Sequence, residues 1–393
     1  MLNSPFSPWP SFSQNEADAV SRVLLSNKVN YWTGSECRDF EKEFAVWADS
    51  QYAIALSNGT LALDLALKAL DIGLGDEVIV TPRTFLASVS CVVTAGATPV
   101  FADVDLNSQN IEASTIAQVI TAKTKAVIVV HLAGMPADMD PIMALAKQHD
   151  FFVIEDCAQA HGAKYKGKSV GSIGHIGAWS FCQDKIMTTG GEGGMVTTND
   201  KALWSTMWSY KDHGKSFDAI YNREHPQGFR WLHESFGTNW RMTEMQGAIG
   251  RIQLTGMQEW TAKRQSNAKA IDKAVADIDL VRTVIVPDYI EHAEYKHYIF
   301  VKPDYLAEGW SRDRIVDEIM ALGVPAFQGS CSEVYLEKAF ENTPWRPDIR
   351  LPNAVELGDT SLMFLVHPTL TKAEIDKTCE VIRRVLLSAQ KSS

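Results

Sequence analysis

The 393-residue sequence predicts an α/β protein made of two units. The larger, residues 1–254, carries a mostly parallel central sheet, and a smaller α+β unit follows over 255–393. Three observations predict this arrangement. Short apolar runs alternate with helical periods from about Ser57 onward, a long helical stretch begins near "TEMQGAIGRIQL", and strand-like segments thin out after it. Strand, helix and strand in repetition imply parallel strands covered on both faces.

In chain order, "EVIVTP", "TPVFADV", "KAVIVVH" and "FFVIED" read as buried strands. Between them "GTLALDLALKAL", "TFLASVSCVVTAG" and "DPIMALAKQHD" read as helices. In the first helix Ala62, Leu65, Ala66 and Ala69 share one face at helical spacing. Further on, "HYIFVKP" is the clearest strand, and Thr371 with Glu374 form a capping box that opens the last helix. N-terminal residues are expected to join the smaller unit.

Composition narrows the function. Thirty-seven basic against 48 acidic residues leave a net charge of −11, which argues against a general nucleic-acid or anionic-membrane binder. Six cysteines lie far apart without a C-x-x-C pair, as in reduced thiols of a cytoplasmic protein. Neither a signal peptide nor a run of about 20 apolar residues is visible.

In open α/β sheets ligands gather beyond the carboxyl ends of the strands. Four pieces of the sequence fall there. "SNGT", Ser57 to Thr60, opens a helix and suits a phosphate, or is an ordinary N-cap. Asp156 ends an apolar strand, where a carboxylate needs a cation or strong donors, backbone amides included. Phe85 follows a strand and a proline, and reads either as a stacking face or as core. In "SFCQDKIMTTGGEGGMVTTND" a single lysine, Lys185, sits on a short tether before Gly190, Gly191, Gly193 and Gly194. A lysine can form a Schiff base with an aldehyde, and glycines let the chain bend closely around a ligand. Phosphate seat, aromatic face, buried acid and tethered lysine are together what pyridoxal 5'-phosphate requires.

With these motifs in order, and with "FEKEFA", "GATPVFADVD" and "GTNWRMTEMQGAIGRIQL" beside them, the chain resembles the DegT/DnrJ/EryC1/StrS sugar aminotransferases over nearly its whole length. The resemblance implies PLP fold type I, the aspartate aminotransferase-like fold. It implies that Lys185 holds the cofactor and shuttles the proton, while Asp156 faces the pyridine nitrogen. Gln159 would face the ring hydroxyl, Phe85 would stack on the ring, and Gly59, Thr60 and Ser180 would hold the phosphate. Asn239 would reach the cofactor of the neighbouring subunit in a homodimer. The tether "CQD" departs from the threonine or proline usual in the family, leaving Gln183 without an assigned contact. The retained lysine implies transamination, with L-glutamate as donor and a keto-sugar as acceptor.

Among the relatives, the chain most resembles those that aminate the oxidised C8 of Kdo, giving 8-amino-3,8-dideoxy-manno-octulosonate for lipopolysaccharide. Nucleotide-linked 3-keto or 4-keto hexoses are the alternative acceptors. For an acidic sugar, "REHPQGFRWLHE" offers Arg223, His225, Arg230 and His233, unless it is a solvated loop. Arg83, Arg230 and Arg241 are the candidates for the donor carboxylate.

Three rival readings are weaker. No G-x-G-x-x-G opens a helix after a first strand, as a dinucleotide-binding oxidoreductase would need. No H-E-x-x-H or paired Cys/His spacing suggests a metal site, and none is expected. A cofactor-binding sensor of the same fold would carry a basic DNA-binding segment, and none precedes the large unit.

Overall fold

The computed structural model describes residues 6–391. Its first strands are β1 (Tyr52–Leu56), β2 (Glu77–Val80), β3 (Thr98–Phe101), β4 (Thr124–Val130) and β5 (Phe152–Asp156). Two short strands, β6 (Lys164–Tyr165) and β7 (Lys168–Ser169), precede β8 (Ile176–Ser180) and β9 (Gly194–Thr198). Seven of these form the central sheet in the order β1-β9-β8-β5-β4-β2-β3. Neighbours from β8 to β3 pair in parallel, whereas β9 pairs antiparallel with both β1 and β8. One strand therefore runs against the other six, and the sheet is mixed but mostly parallel, the expected α/β class. Its interior strands read as continuous apolar runs because helices cover both faces. The helix Gly59–Ala69 buries Ala62, Leu63, Leu65, Ala66 and Leu67 against one face, so its apolar surface is wider than a single stripe.

Among the helices that escaped the sequence reading are two near the N-terminus, Gln14–Leu25 and Glu36–Trp47. The first has a full capping box between Ser13 and Glu16, a signal present in the sequence. Both pack against the 32-residue helix Glu244–Val275, which runs straight through the expected unit boundary at residue 254. Beyond that boundary the same helix sends Ala268, Ile271 and Val275 into a second core.

This second core surrounds an antiparallel sheet. After β10 (Val281–Thr283) and the short β11 (Ile290–Glu291) come β12 (His297–Val301), β13 (Ala326–Phe327) and β14 (Ser361–Phe364), and the sheet runs β10-β12-β14-β13. The last helix, Lys372–Ala389, is capped by Thr371 and Glu374 as expected. The N-terminal segment docks here too. Phe6 lies in the same core, Ser7 donates its backbone N–H to Glu374 at 2.5 Å, and Thr369 Oγ1 donates to the Pro8 carbonyl at 2.7 Å. The six cysteines are free thiols. Among the described residues no helix is long and apolar enough to cross a membrane.

Two glycines bring the sheet edge and the first parallel helix together. A Cβ on Gly59 would stand 2.5 Å from the Ser180 Cβ, and one on Gly194 would strike the Asn58 backbone carbonyl. Backbone cannot move aside as a side chain can. Gly194→Ala is therefore expected to cost about 1–3 kcal/mol of unfolding free energy, as overpacking does. Urea denaturation checks this, and an unchanged midpoint would contradict the close approach.

Candidate active site

At the carboxyl ends of β5 and β8 the chain encloses a cleft of about 590 Å³. Gly59, Thr60, Phe85, Asp156, Gln159, Ser180 and Lys185, all singled out in the sequence, line it.

Asp156, the last residue of β5, is only 6% exposed. Its Oδ2 accepts from Ser88 Oγ at 2.7 Å, and its Oδ1 accepts from the Ala158 N–H at 3.1 Å. A buried carboxylate with two neutral donors still has lone pairs facing the cleft, ready for a positively charged N–H. Beside it, Gln159 Oε1 accepts from the Ala133 N–H at 2.8 Å. That bond fixes the orientation of the amide, so the Nε2 hydrogens are left to donate. Ala133 itself adopts a left-handed φ of 57°.

The opposite end is built for an anion. Asn58 caps the helix Gly59–Ala69, its side chain accepting from the Leu61 N–H at 3.0 Å. The N–H groups of the first turn have no intrahelical partner and add the positive end of the helix dipole. Ser180, at the end of β8, lies against Gly59. Its Oγ accepts from the Cys182 N–H at 3.4 Å, which leaves the hydroxyl proton free to donate. Phe85, 71% exposed, stands in the cleft wall with an open aromatic face.

Lys185 lines the same cleft. Its Nζ is 3.6 Å from Asp184 Oδ1 and 5.5 Å from the centre of the Tyr295 ring. Tyr295 in turn donates its hydroxyl to Asp184 at 2.6 Å. Burial alone would raise the Asp184 carboxyl, but the Lys185 ammonium and the Tyr295 hydroxyl hold it below the usual range. The Lys185 backbone carbonyl accepts from Trp9 Nε1 at 2.8 Å. Past the lysine, Gly190 and Gly191 take φ values of 92° and 119°, which only glycine adopts without strain, and the chain turns back.

Sequence reasoning missed His161, which lies between the Trp179 and Phe181 rings with centroids 5.3 and 5.6 Å away. Burial, then the nearby Lys185 and Arg264 charges, push it down to about 3, so the ring is neutral. Its signal was its place two residues after Gln159. Also missed were Arg264, Lys296 and Trp9, which come from distant segments.

Other predicted residues lie elsewhere. Asn239 is exposed and forms an isolated bridge with Asp212, outside the cleft of its own chain. The three arginine candidates do not line the cleft. Arg83 is fully buried, donating to Gln109 at 3.0 Å and Ser361 at 2.8 Å, Arg241 pairs with Asp212 at 2.6 Å, and Arg230 is exposed. In the polar insertion Arg223 is taken by Asp218 and Glu234, and His225 bonds the Ala219 carbonyl. Gln183 is exposed and does not line the cleft either.

His131, Glu155 and Cys157 form a buried cluster at the ends of β4 and β5. His131 Nε2 is bonded to Glu155 at 2.9 Å and its Nδ1 accepts from the Ala137 N–H. Glu155 also accepts from the Gly171, Ile173 and Gly174 N–H groups. These polar atoms are engaged, so the group works as a hydrogen-bonded strut rather than a ligand set.

The cleft fits pyridoxal phosphate in the chemistry of its donors: free N–H groups and a hydroxyl, a buried carboxylate and a lysine line one space. Comparison with known proteins gives the same answer. Residues 10–383 match the DegT/DnrJ/EryC1/StrS aminotransferase family. The chain is similar to GDP-perosamine synthase of Escherichia coli O157:H7, with 43% identity over 95% of this chain and 96% of that protein. An aminotransferase structure from Psychrobacter cryohalolentis is 66% identical with a TM-score of 0.97, covering 98% of this chain and 100% of that one. DesV of S. venezuelae is 29% identical with a TM-score of 0.84, over 95% of this chain and 94% of that one. Fold and cleft thus agree with relatives that are transaminases, and this pyridoxal phosphate-dependent enzyme of PLP fold type I belongs to the DegT/DnrJ/EryC1/StrS aminotransferase family.

Proposed function

We propose that this sugar aminotransferase takes the amino group of L-glutamate and delivers it to the carbonyl of a nucleotide-linked keto-deoxyhexose. One observation carries the reading: a lysine, a carboxylate and a free helix N-terminus face the same space of about 590 Å³. Two relatives named GDP-perosamine synthase, 43% and 36% identical over nearly the full chain, support the nucleotide-linked acceptor. An oxidised Kdo aminated at C8 is the second reading. It is favoured by the buried Arg264 and the half-buried Lys296 near Lys185, which an acidic sugar would satisfy.

Pyridoxal phosphate, when bound, supplies an aldehyde that carries the amino group and a ring that stores the electron pair left as the α C–H bond breaks. The chain supplies the rest. Lys185 Nζ would hold the aldehyde between turnovers and, once released, would serve as the base that moves the α-proton. Asp156, anchored by Ser88 and Ala158, would keep the ring nitrogen protonated. Gln159 would donate to the ring hydroxyl, Phe85 would stack on the ring, and Gly59, Thr60 and Ser180 would hold the phosphate.

We also propose a homodimer in which Asn239 serves the neighbour's site. The loop carrying Asn239 exposes Phe229 at 77%, Trp231 at 83% and Phe236 at 100%, apolar surface that a monomer would leave wet.

Lys185→Ala should lower turnover at least about a thousandfold with circular dichroism unchanged, since general acid–base chemistry alone contributes up to ~10⁴. Near-normal turnover would sink the assignment. L-Glutamate alone should bleach the yellow colour of the holoprotein, and a nucleotide-linked keto-sugar should restore it faster than an oxidised Kdo; the opposite ranking would favour the second reading. For the dimer, an equal mixture of Lys185→Ala and Asn239→Ala chains, refolded together, should regain about a quarter of wild-type activity, because half the dimers then hold one intact site. If Asn239 serves its own chain, the mixture stays no more active than its parts.

A further inference from the structure

Lys185 has two cationic neighbours that the chemistry above does not use. The Lys296 ammonium lies 4.9 Å from the centre of the Tyr295 ring, the same ring that Lys185 approaches to 5.5 Å. Behind it, Arg264 is 1% exposed, with Nη1 donating to the Tyr295 carbonyl at 3.2 Å and the Trp9 ring 5.0 Å away. Its Nε and Nη2 have no hydrogen-bond partner among the described residues. Lys296 has neither a hydrogen bond nor an ion pair there. The acids at hand are committed elsewhere: Asp184 to Tyr295 and Lys185, and Glu294 to His297 at 3.3 Å and His292 at 3.7 Å. Histidine does not add to the positive charge, for His367, stacked on Trp9, is pushed down to about 3 by burial and by these two cations.

A buried arginine and a half-buried lysine without a carboxylate are costly to fold around. Burial, together with Arg264 and Lys185, pulls Lys296 down to about 8 against the pull of Asp184, and burial lowers Arg264 to about 9. A ligand with a carboxylate would relieve that cost; the two cations do not line the cleft itself but reach it through Tyr295, whose ring Lys185 also approaches.

We propose that Lys296, with Arg264 behind it, binds a carboxylate of the substrate. This rests on the transamination reading and gives it an anion site. The carboxylate belongs either to the amino donor and its keto-acid product or to an acidic sugar acceptor. In both cases the ammonium binds directly, while Arg264 keeps the local field positive and positions Tyr295.

The two half-reactions separate these sources. Holoenzyme variants Lys296→Gln and Lys296→Arg would be followed by bleaching with L-glutamate, then by recovery of colour with a keto-sugar. Loss of the charge should raise the half-saturating concentration of the carboxylate-bearing substrate about tenfold or more, with the limiting rate moving much less. Lys296→Arg should restore most of the affinity. A rise confined to L-glutamate assigns the site to the donor, and one confined to an acidic acceptor assigns it to the sugar. Unchanged half-saturation in both steps would overturn the proposal. Should Lys296→Gln fail to fold, glutarate in the wild type decides: it should compete in one half-reaction, and competition in neither would overturn the proposal. Wild-type enzyme that L-glutamate cannot bleach would instead count against the transamination reading with that donor.

Discussion

The site depends on one reversal of chain direction. β8 ends at Ser180, and the next strand, β9, returns antiparallel beside it from Gly194. The intervening chain must therefore turn at the carboxyl edge of the sheet, and Lys185 is on that turn. The same packing sets the anion end, because β9 fits against β1 only where Gly194 clears the Asn58 carbonyl, and the helix start meets Ser180 only through Gly59. Lysine and helix N-terminus are thus fixed relative to each other by backbone contacts, which deform far less than side chains.

Charge around the lysine is arranged with the same economy. His161 and His367, buried near Lys185 and Arg264, stay neutral, so their rings fill space without adding to the positive field. The acids nearby are held by hydroxyls or histidines. What remains is a local excess of positive charge inside an acidic chain, a setting that draws anionic substrates inward while the exterior repels anionic polymers.

The fold was legible because its signals are local. Apolar runs of strand length, a helical period and a capping box each occupy a few adjacent residues, and Asp156 and Lys185 stand out against the apolar strands beside them. The helix Gln14–Leu25 was just as legible from Ser13 and Glu16 but went unread. Long-range features left no such mark. Trp9, Arg264 and Lys296 meet Lys185 only after the two units pack, and nothing near them in sequence announces it. Arg83 drew attention as a cation near a strand end, yet folding spends it on Gln109 and Ser361. The polar insertion misled for a related reason: Arg223 has its acids within its own loop.

The Trp9 indole has a mechanical meaning. Its segment is moored to the C-terminal unit through Phe6, Ser7 and Pro8, while its N–H holds the carbonyl of Lys185 on the large sheet. Lys185 is therefore tethered from both units at once. With Tyr295 of the C-terminal unit also donating to Asp184, the backbone and the neighbour of Lys185 are both held from outside the large sheet, so the position of the lysine depends on how the two units sit together.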